Sequence, residues 1–127
     1  MKLRLQFNTI RLRLKRSEVA QFAEAGRVEE TIILGEGEGE TLHYALEATD
    51  AIHSPRAELN GGSILVRVPL AMAEQWAAND EIAIEGDQAA GGETRLHILI
   101  EKDFACIDGT DEQNVDTFPN PLAGTKC

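Results

Sequence analysis

The feature that most constrains this chain is that its plan is written twice. The stretch "IRLRLKRSEVAQFA" from Ile10 to Ala23 is matched by "ILVRVPLAMAEQWA" from Ile64 to Ala77. A shift of 54 residues takes Ile10 to Ile64 and compares residues 2–50 with 56–104 without a gap. Identities fall at Leu5/Leu59, Ile10/Ile64, Arg13/Arg67, Gln21/Gln75, Ala23/Ala77, Gly37/Gly91, Leu42/Leu96, His43/His97 and Glu47/Glu101. Conservative pairs include Lys2/Arg56, Leu12/Val66, Leu14/Val68, Phe22/Trp76 and Val28/Ile82. A repeat of this length is one supersecondary unit used twice, so residues 1–104 read as one domain of two pseudo-repeats. Residues 105–127 read as an irregular acidic tail.

Each copy carries the same local signals in the same order. Residues 2–6 and 10–15 alternate: Leu3, Leu5, Ile10, Leu12 and Leu14 on one face, Lys2, Arg4, Arg11 and Arg13 on the other. That is the period of a half-buried strand. Asn8-Thr9 provides a polar hairpin connection. Ser17 predicts a helix N-cap and Gly26 a terminator, with Val19, Phe22 and Ala23 as the buried stripe. Strands over 28–34 and 41–48 follow, joined by "GEGEGE". In the second copy, strands over 56–60 and 63–68 flank Gly61-Gly62. Pro69 opens a helix that buries Leu70, Ala73, Trp76 and Ala77. Strands near 81–86 and 94–102 complete it. The expected fold is α+β: a duplicated β-β-α-β-β unit, about eight mostly antiparallel strands with two helices packed on the sheet. Curling the two copies into one barrel would remove the open sheet edges.

With the helices on the apolar face, the opposite face is charged. It collects Lys2, Arg4, Gln6, Arg11, Arg13, His43, Glu47, Arg56, Glu58, Arg67, Glu81, Glu85, His97 and Glu101. Two readings compete: a solvated outer face of weak cross-strand ion pairs, or a barrel lumen where cations hold an anion and carboxylates hold Mg²⁺. Lys2, Arg4, Arg11, Arg13, Arg67 and Glu101 are the candidate ligand-binding residues. His43 and His97, equivalent in the repeat and each four residues before a Glu, are the candidate metal ligands.

The net charge of -10 (12 Lys+Arg against 22 Asp+Glu) disfavours phosphate backbones and anionic lipid, so neither nucleic acid nor membrane is an expected partner. Two cysteines, Cys106 and Cys127, without neighbouring ligands suggest a reducing cytoplasm and no zinc site. Nucleophilic motifs are missing, and "GEGEG" lacks the Lys-Ser/Thr of a phosphate loop. In the tail, Asp108, Asp111, Glu112 and Asp116 fall short of the spacing of a calcium loop, while Phe118 is suited to anchoring the tail to the body.

The order strand–helix–three strands, duplicated, resembles the CYTH-like triphosphate tunnel architecture. That resemblance implies a closed eight-stranded barrel and metal-dependent hydrolysis of triphosphates by lumen Arg, Lys and Glu, here Lys2, Arg4, Arg11, Arg13, Arg67 and Glu101. The family begins with Glu-x-Glu-x-Lys, whereas the corresponding strand here is Lys2-Leu-Arg-Leu-Gln6, with no carboxylate. Over nearly its full length the chain also resembles a small family of uncharacterised bacterial proteins, a domain of unknown function. The residues that carry this likeness are "KLRLQFNTIRLRL", "VAQFAEAGRVEETI", "ILIEKDFAC" and "FPNP". The leading expectation is a non-catalytic module that binds an unidentified small molecule or protein. The alternative is a tunnel-type phosphohydrolase with Mg²⁺, and a third class is an assembly protein that uses its sheet edges.

Overall fold

The computed structural model describes residues 1–104, 116 and 118. The elements run β1 (Lys2–Gln6), β2 (Thr9–Leu14), α1 (Arg16–Ala25), β3 (Arg27–Ile33), β4 (Thr41–Thr49), β5 (Arg56–Asn60), β6 (Ser63–Pro69), α2 (Leu70–Ala78), β7 (Ala83–Ala89) and β8 (Arg95–Lys102). Alternation sets the strands and helical spacing sets the helices, as expected. The α+β class and the duplicated order of elements both hold.

The way the copies combine differs from the expectation. Neither copy builds a sheet of its own. Sheet A has the order β1-β2-β8-β7 and sheet B the order β3-β4-β6-β5. Each sheet therefore takes one hairpin from each copy, and α1 and α2 carry the chain from one sheet to the other. Within each sheet the hairpins are antiparallel, but the central pair is parallel: β2 with β8 and β4 with β6. No barrel closes, because hydrogen-bonded ladders do not join the two sheets among the described residues. A closed tunnel and its lumen are thus absent from the fold of these residues, and the CYTH-like topology does not describe it.

The registers show how closely the halves correspond. Lys2 pairs with Arg13 and Arg56 with Arg67; Thr9 pairs with His97 and Ser63 with His43. These are the same pairs moved by one repeat. The correspondence slips in one place. Val28 lies opposite Leu46 and Ile84 opposite Ile100, so the partner of Val28 is Ile84 and not Ile82. Burial agrees: Val28 and Ile84 are buried, whereas Ile82 is 45% exposed. Two extra residues after α2 are offset by a β7–β8 loop two residues shorter than that between β3 and β4.

A single core serves both sheets. Leu12, Leu14, Ile84, Ile98 and Ile100 enter from sheet A, and Val28, Tyr44, Leu46, Val66 and Val68 from sheet B. Val19 and Phe22 of α1 and Ala73 and Trp76 of α2 complete it. Phe22 and Trp76, equivalent in the repeat, meet edge to face with centroids 6.3 Å apart, a favoured aromatic geometry. Ala23 and Leu70, expected inside, face solvent instead. Short helices of this kind bury only a narrow stripe.

Local chemistry explains the ends of the elements. Phe7 and Asn8 at φ 49° and 54° make the tight β1–β2 turn, one residue earlier than expected. Gly26, at φ 74°, ends α1 by donating its N–H to the Phe22 carbonyl at 2.8 Å. Helix α1 begins two residues earlier than the Ser17 signal implies, with Lys15 at the N-cap. Lysine offers no acceptor, so the orphan N–H groups find other partners. Asp116 accepts from the Ser17 N–H at 3.0 Å and from the Ser17 hydroxyl, and its carbonyl accepts from the Arg16 N–H at 3.0 Å. Phe118 packs edge to face on Phe104 at 5.9 Å and bridges to Asp103 through its backbone N–H. The anchoring expected of Phe118 is therefore present. The expectations for Cys106, Asp108, Asp111, Glu112, Cys127 and the other residues of 105–115, 117 and 119–127 lie outside the described residues.

Candidate basic face on sheet A

Alternation along β1 and β2 sends Lys2, Arg4, Arg11 and Arg13 to the outer face of sheet A. Pairing makes them neighbours. Lys2 lies opposite Arg13 and Arg4 opposite Arg11, two like-charged pairs directly across an antiparallel ladder. Opposed side chains stand about 5 Å apart, and successive pairs on the same face about 7 Å apart along the strand. Such juxtaposition is unfavourable unless something offsets it.

Part of the compensation comes from β8. Its parallel register places Glu101 beside Arg13. The Glu101 carboxylate accepts from Arg11 Nε and, at 3.3 Å, from Arg13 Nε. Its side chain is only 14% exposed. Burial alone would raise its pKa, but the hydrogen bonds and charges of Arg11 and Arg13 outweigh burial and hold it below the usual carboxylate range. Reciprocally, the hydrogen bond that Arg11 donates to Glu101 raises the Arg11 pKa. Lys2 reaches Asp103 at 3.1 Å while its side chain stays 65% exposed. Arg4 bonds only the neutral Gln6 side chain, at 2.8 Å, among the described residues. One shared carboxylate and one peripheral one therefore face four cations.

Two shallow depressions occupy this face. One of about 360 Å³ is lined by Lys2, Leu3, Arg4, Arg11 and Arg13. Its neighbour, about 200 Å³, is lined by Arg4, Gln6, Phe7, Thr9, Arg11 and Leu99. They share Arg4 and Arg11. Across the sheet the sign reverses: β7 carries Glu85 and Asp87, opposite Leu99 and His97.

Of the expected site residues, Lys2, Arg4, Arg11, Arg13 and Glu101 come together, and Arg67 does not. Although Arg67 is the repeat counterpart of Arg13, it belongs to sheet B, where it donates to Glu58 at 2.9 Å beside Glu47 and Arg56. Among the described residues its Nε is buried without a hydrogen-bond partner. The repeat explains the difference between the faces: sheet B has Glu58 and Leu65 where sheet A has Arg4 and Arg11. Arg27 also pairs with Glu47 at 2.5 Å and with Glu29 at 3.3 Å. Sheet B thus interleaves its charges, whereas sheet A segregates them.

His43 and His97 likewise lie in different sheets. His43 Nδ1 meets Thr31 Oγ1 at 3.0 Å, and His97 Nδ1 meets Asp87 Oδ1 at 3.1 Å. Among the described residues no group of three His, Cys, Asp or Glu is placed to hold a metal ion.

Asp87 and Asp103 escaped the sequence reading for different reasons. Gly86 resembles a turn residue, yet it sits inside β7 because a Cβ there would meet the Pro55 side chain at 2.9 Å. Period-2 counting across that glycine would have found Asp87. Nothing in the sequence pairs Lys2 with Asp103.

The chain belongs to DUF7009, a family of unknown function. The family model matches residues 1–122, nearly the whole chain. The likeness to a domain of unknown function is thereby borne out. Neither the curated proteins nor the solved structures contain a match to this DUF7009 chain. No helix among its described residues is long and apolar enough to cross a membrane.

Proposed function

We propose that this DUF7009 protein is a cytosolic, non-catalytic binding module that takes an anionic ligand or partner on the outer face of sheet A. The observation that carries this reading is the quartet Lys2, Arg4, Arg11 and Arg13, two like-charged pairs held side by side with Glu101 between two of them. In a chain of net charge -10, such a cluster stands apart from the rest of the surface. Bringing four cations together costs Coulomb energy that an anion recovers. The face is shallow, which suits reversible recognition more than water-excluding chemistry.

The phosphohydrolase reading has less support. Its lumen is missing from the described fold, Arg67 is in the other sheet, and Glu101 is engaged by two arginines.

Calorimetry with tripolyphosphate, a compact polyanion, tests the proposal. Binding should weaken with salt, and Arg4→Glu with Arg11→Glu should reduce affinity at least about tenfold, from the loss of several ion pairs. Equal binding by the double variant, or no binding at low salt, would count decisively against this face as the site. Phosphate release with Mg²⁺ at a rate above buffer would reinstate the enzyme reading.

A further inference from the structure

The two seams between the sheets are related by the repeat, but among the described residues only one is stitched by a side-chain amide. At the β5–β7 seam, Gln88 acts as a substitute peptide. Its side-chain oxygen accepts from the Ala57 N–H at 2.8 Å, and its amide donates to the Ala57 carbonyl at 2.9 Å. Ala57 therefore points its backbone groups out of sheet B toward β7. Its counterpart in the repeat is Leu3: Ala57 lies opposite Val66 as Leu3 lies opposite Leu12. The backbone N–H and C=O of Leu3, and of Leu5 two residues on, accordingly point out of sheet A at its β1 edge.

The counterpart of Gln88 at this second seam is Ile32, since Gln88 lies opposite Leu96 and Ile32 opposite Leu42. Isoleucine offers no amide. The described links from the start of the chain to sheet B are at Met1, whose carbonyl accepts from Tyr44 Oη at 2.7 Å and whose amino group meets Glu30 at 3.0 Å. Among the described residues, no hydrogen bond runs from Lys2–Gln6 to β3. Beyond Met1 the flanking apolar side chains are open: Leu5 is 58% exposed, Ile32 43% and Phe7 91%.

We propose that the β1 edge at the β1–β3 seam accepts an extended segment of a partner protein by strand addition. The segment alternates carboxylate and apolar residues. Its backbone pairs with Leu3 and Leu5, as the Gln88 amide pairs with Ala57 on the other side. Its apolar side chains cover Leu5 and Ile32. Its carboxylates fall on the outer face beside Lys2 and Arg4. Edge strands with unpaired backbone and exposed apolar residues recruit strands in this way, and the charge of β1 selects which strand. The inference deepens the anion-binding reading above and rests on it, adding backbone pairing as a separate component.

The test uses the full chain and a fluorescein-labelled peptide, Glu-Val-Glu-Val-Glu-Thr-Glu, followed by anisotropy and amide hydrogen exchange. The peptide should bind and slow exchange at Leu3 and Leu5. A copy N-methylated on alternate residues keeps every charge but loses the bonds to β1, and should bind at least about tenfold more weakly. Ile32→Gln, which supplies the missing stitch, should weaken the peptide similarly while leaving tripolyphosphate affinity unchanged. Leu5→Pro gives a second variant, because an edge strand tolerates proline whose missing N–H faced outward; it too should lose the peptide and keep tripolyphosphate. Equal binding of the N-methylated peptide, or unchanged exchange at Leu3 and Leu5, overturns strand addition and leaves anion binding standing. Protection of Leu3 and Leu5 without peptide, rising with protein concentration, would assign the seam to a second copy and overturn the partner assignment. If neither peptide nor tripolyphosphate binds, both readings fall.

Discussion

Glu101 shows how one side chain can hold a local arrangement that the backbone alone would disfavour. It neutralises part of the repulsion between Arg11 and Arg13 and is itself held deprotonated by them. Because its folded pKa lies below the ordinary value, its stabilising contribution is fully present above the unfolded carboxylate pKa. That contribution is lost as pH falls through the lowered folded value. Glu101→Gln should therefore destabilise the protein by about 1 kcal/mol near neutral pH, a partly exposed ion pair with charged hydrogen bonds. The difference from the wild type should shrink below the ordinary carboxylate range. Urea unfolding across pH checks both; a gap that stays constant into acid would contradict the assignment. The residue was legible as a candidate, since it follows Leu99 in strict alternation. Its partners were only half legible, because β2 and β8 come from opposite ends of the chain.

For the elements, the helices illustrate the limit of local signals. Gly26 marked the end of α1 correctly, since a left-handed C-cap is a local requirement that glycine meets. Ser17 marked its start two residues too late, since the capping acceptor comes from Asp116, far along the chain. Asp116→Ala should lower the melting temperature, as the loss of a cap does, with Asp116→Asn recovering much of it. Thermal unfolding of both variants measures this; equal melting of Asp116→Ala and wild type would remove the capping role. The Ser17 bonds also hold the Asp116 carboxyl below its ordinary pKa, so the contribution of this cap is present above the unfolded carboxylate pKa and is lost as pH falls through the folded one.

Across the whole molecule, the exchange of hairpins makes the two copies interdependent. Neither 2–50 nor 56–104 contains both hairpins of any sheet, and each leaves the core-facing residues of its strands without their central parallel partner. Separately expressed halves should be unfolded by circular dichroism and should recover structure when mixed, as a 1:1 complex. A folded, monomeric half would show that the exchange is dispensable. The same interleaving explains why the barrel expectation failed. Duplication can be read by aligning residues, but which hairpin pairs with which is a choice between sheets that satisfy the same alternation.

The sequence alone determined the elements, the faces of the strands, the duplicated order and the grouping of Lys2, Arg4, Arg11 and Arg13 on one side of β1 and β2. These follow from period-2 and helical spacing, which depend on neighbours a few residues away. Tertiary structure decided the rest. It separated Arg13 from Arg67 and His97 from His43, although the repeat makes each pair equivalent. It brought Glu101 to the arginines and Gln88 to Ala57, and it left Ile32 facing a seam with no amide to offer. Those outcomes depend on contacts between distant segments. Once both copies have the same pattern, only the packing of their shared core selects among the possible pairings.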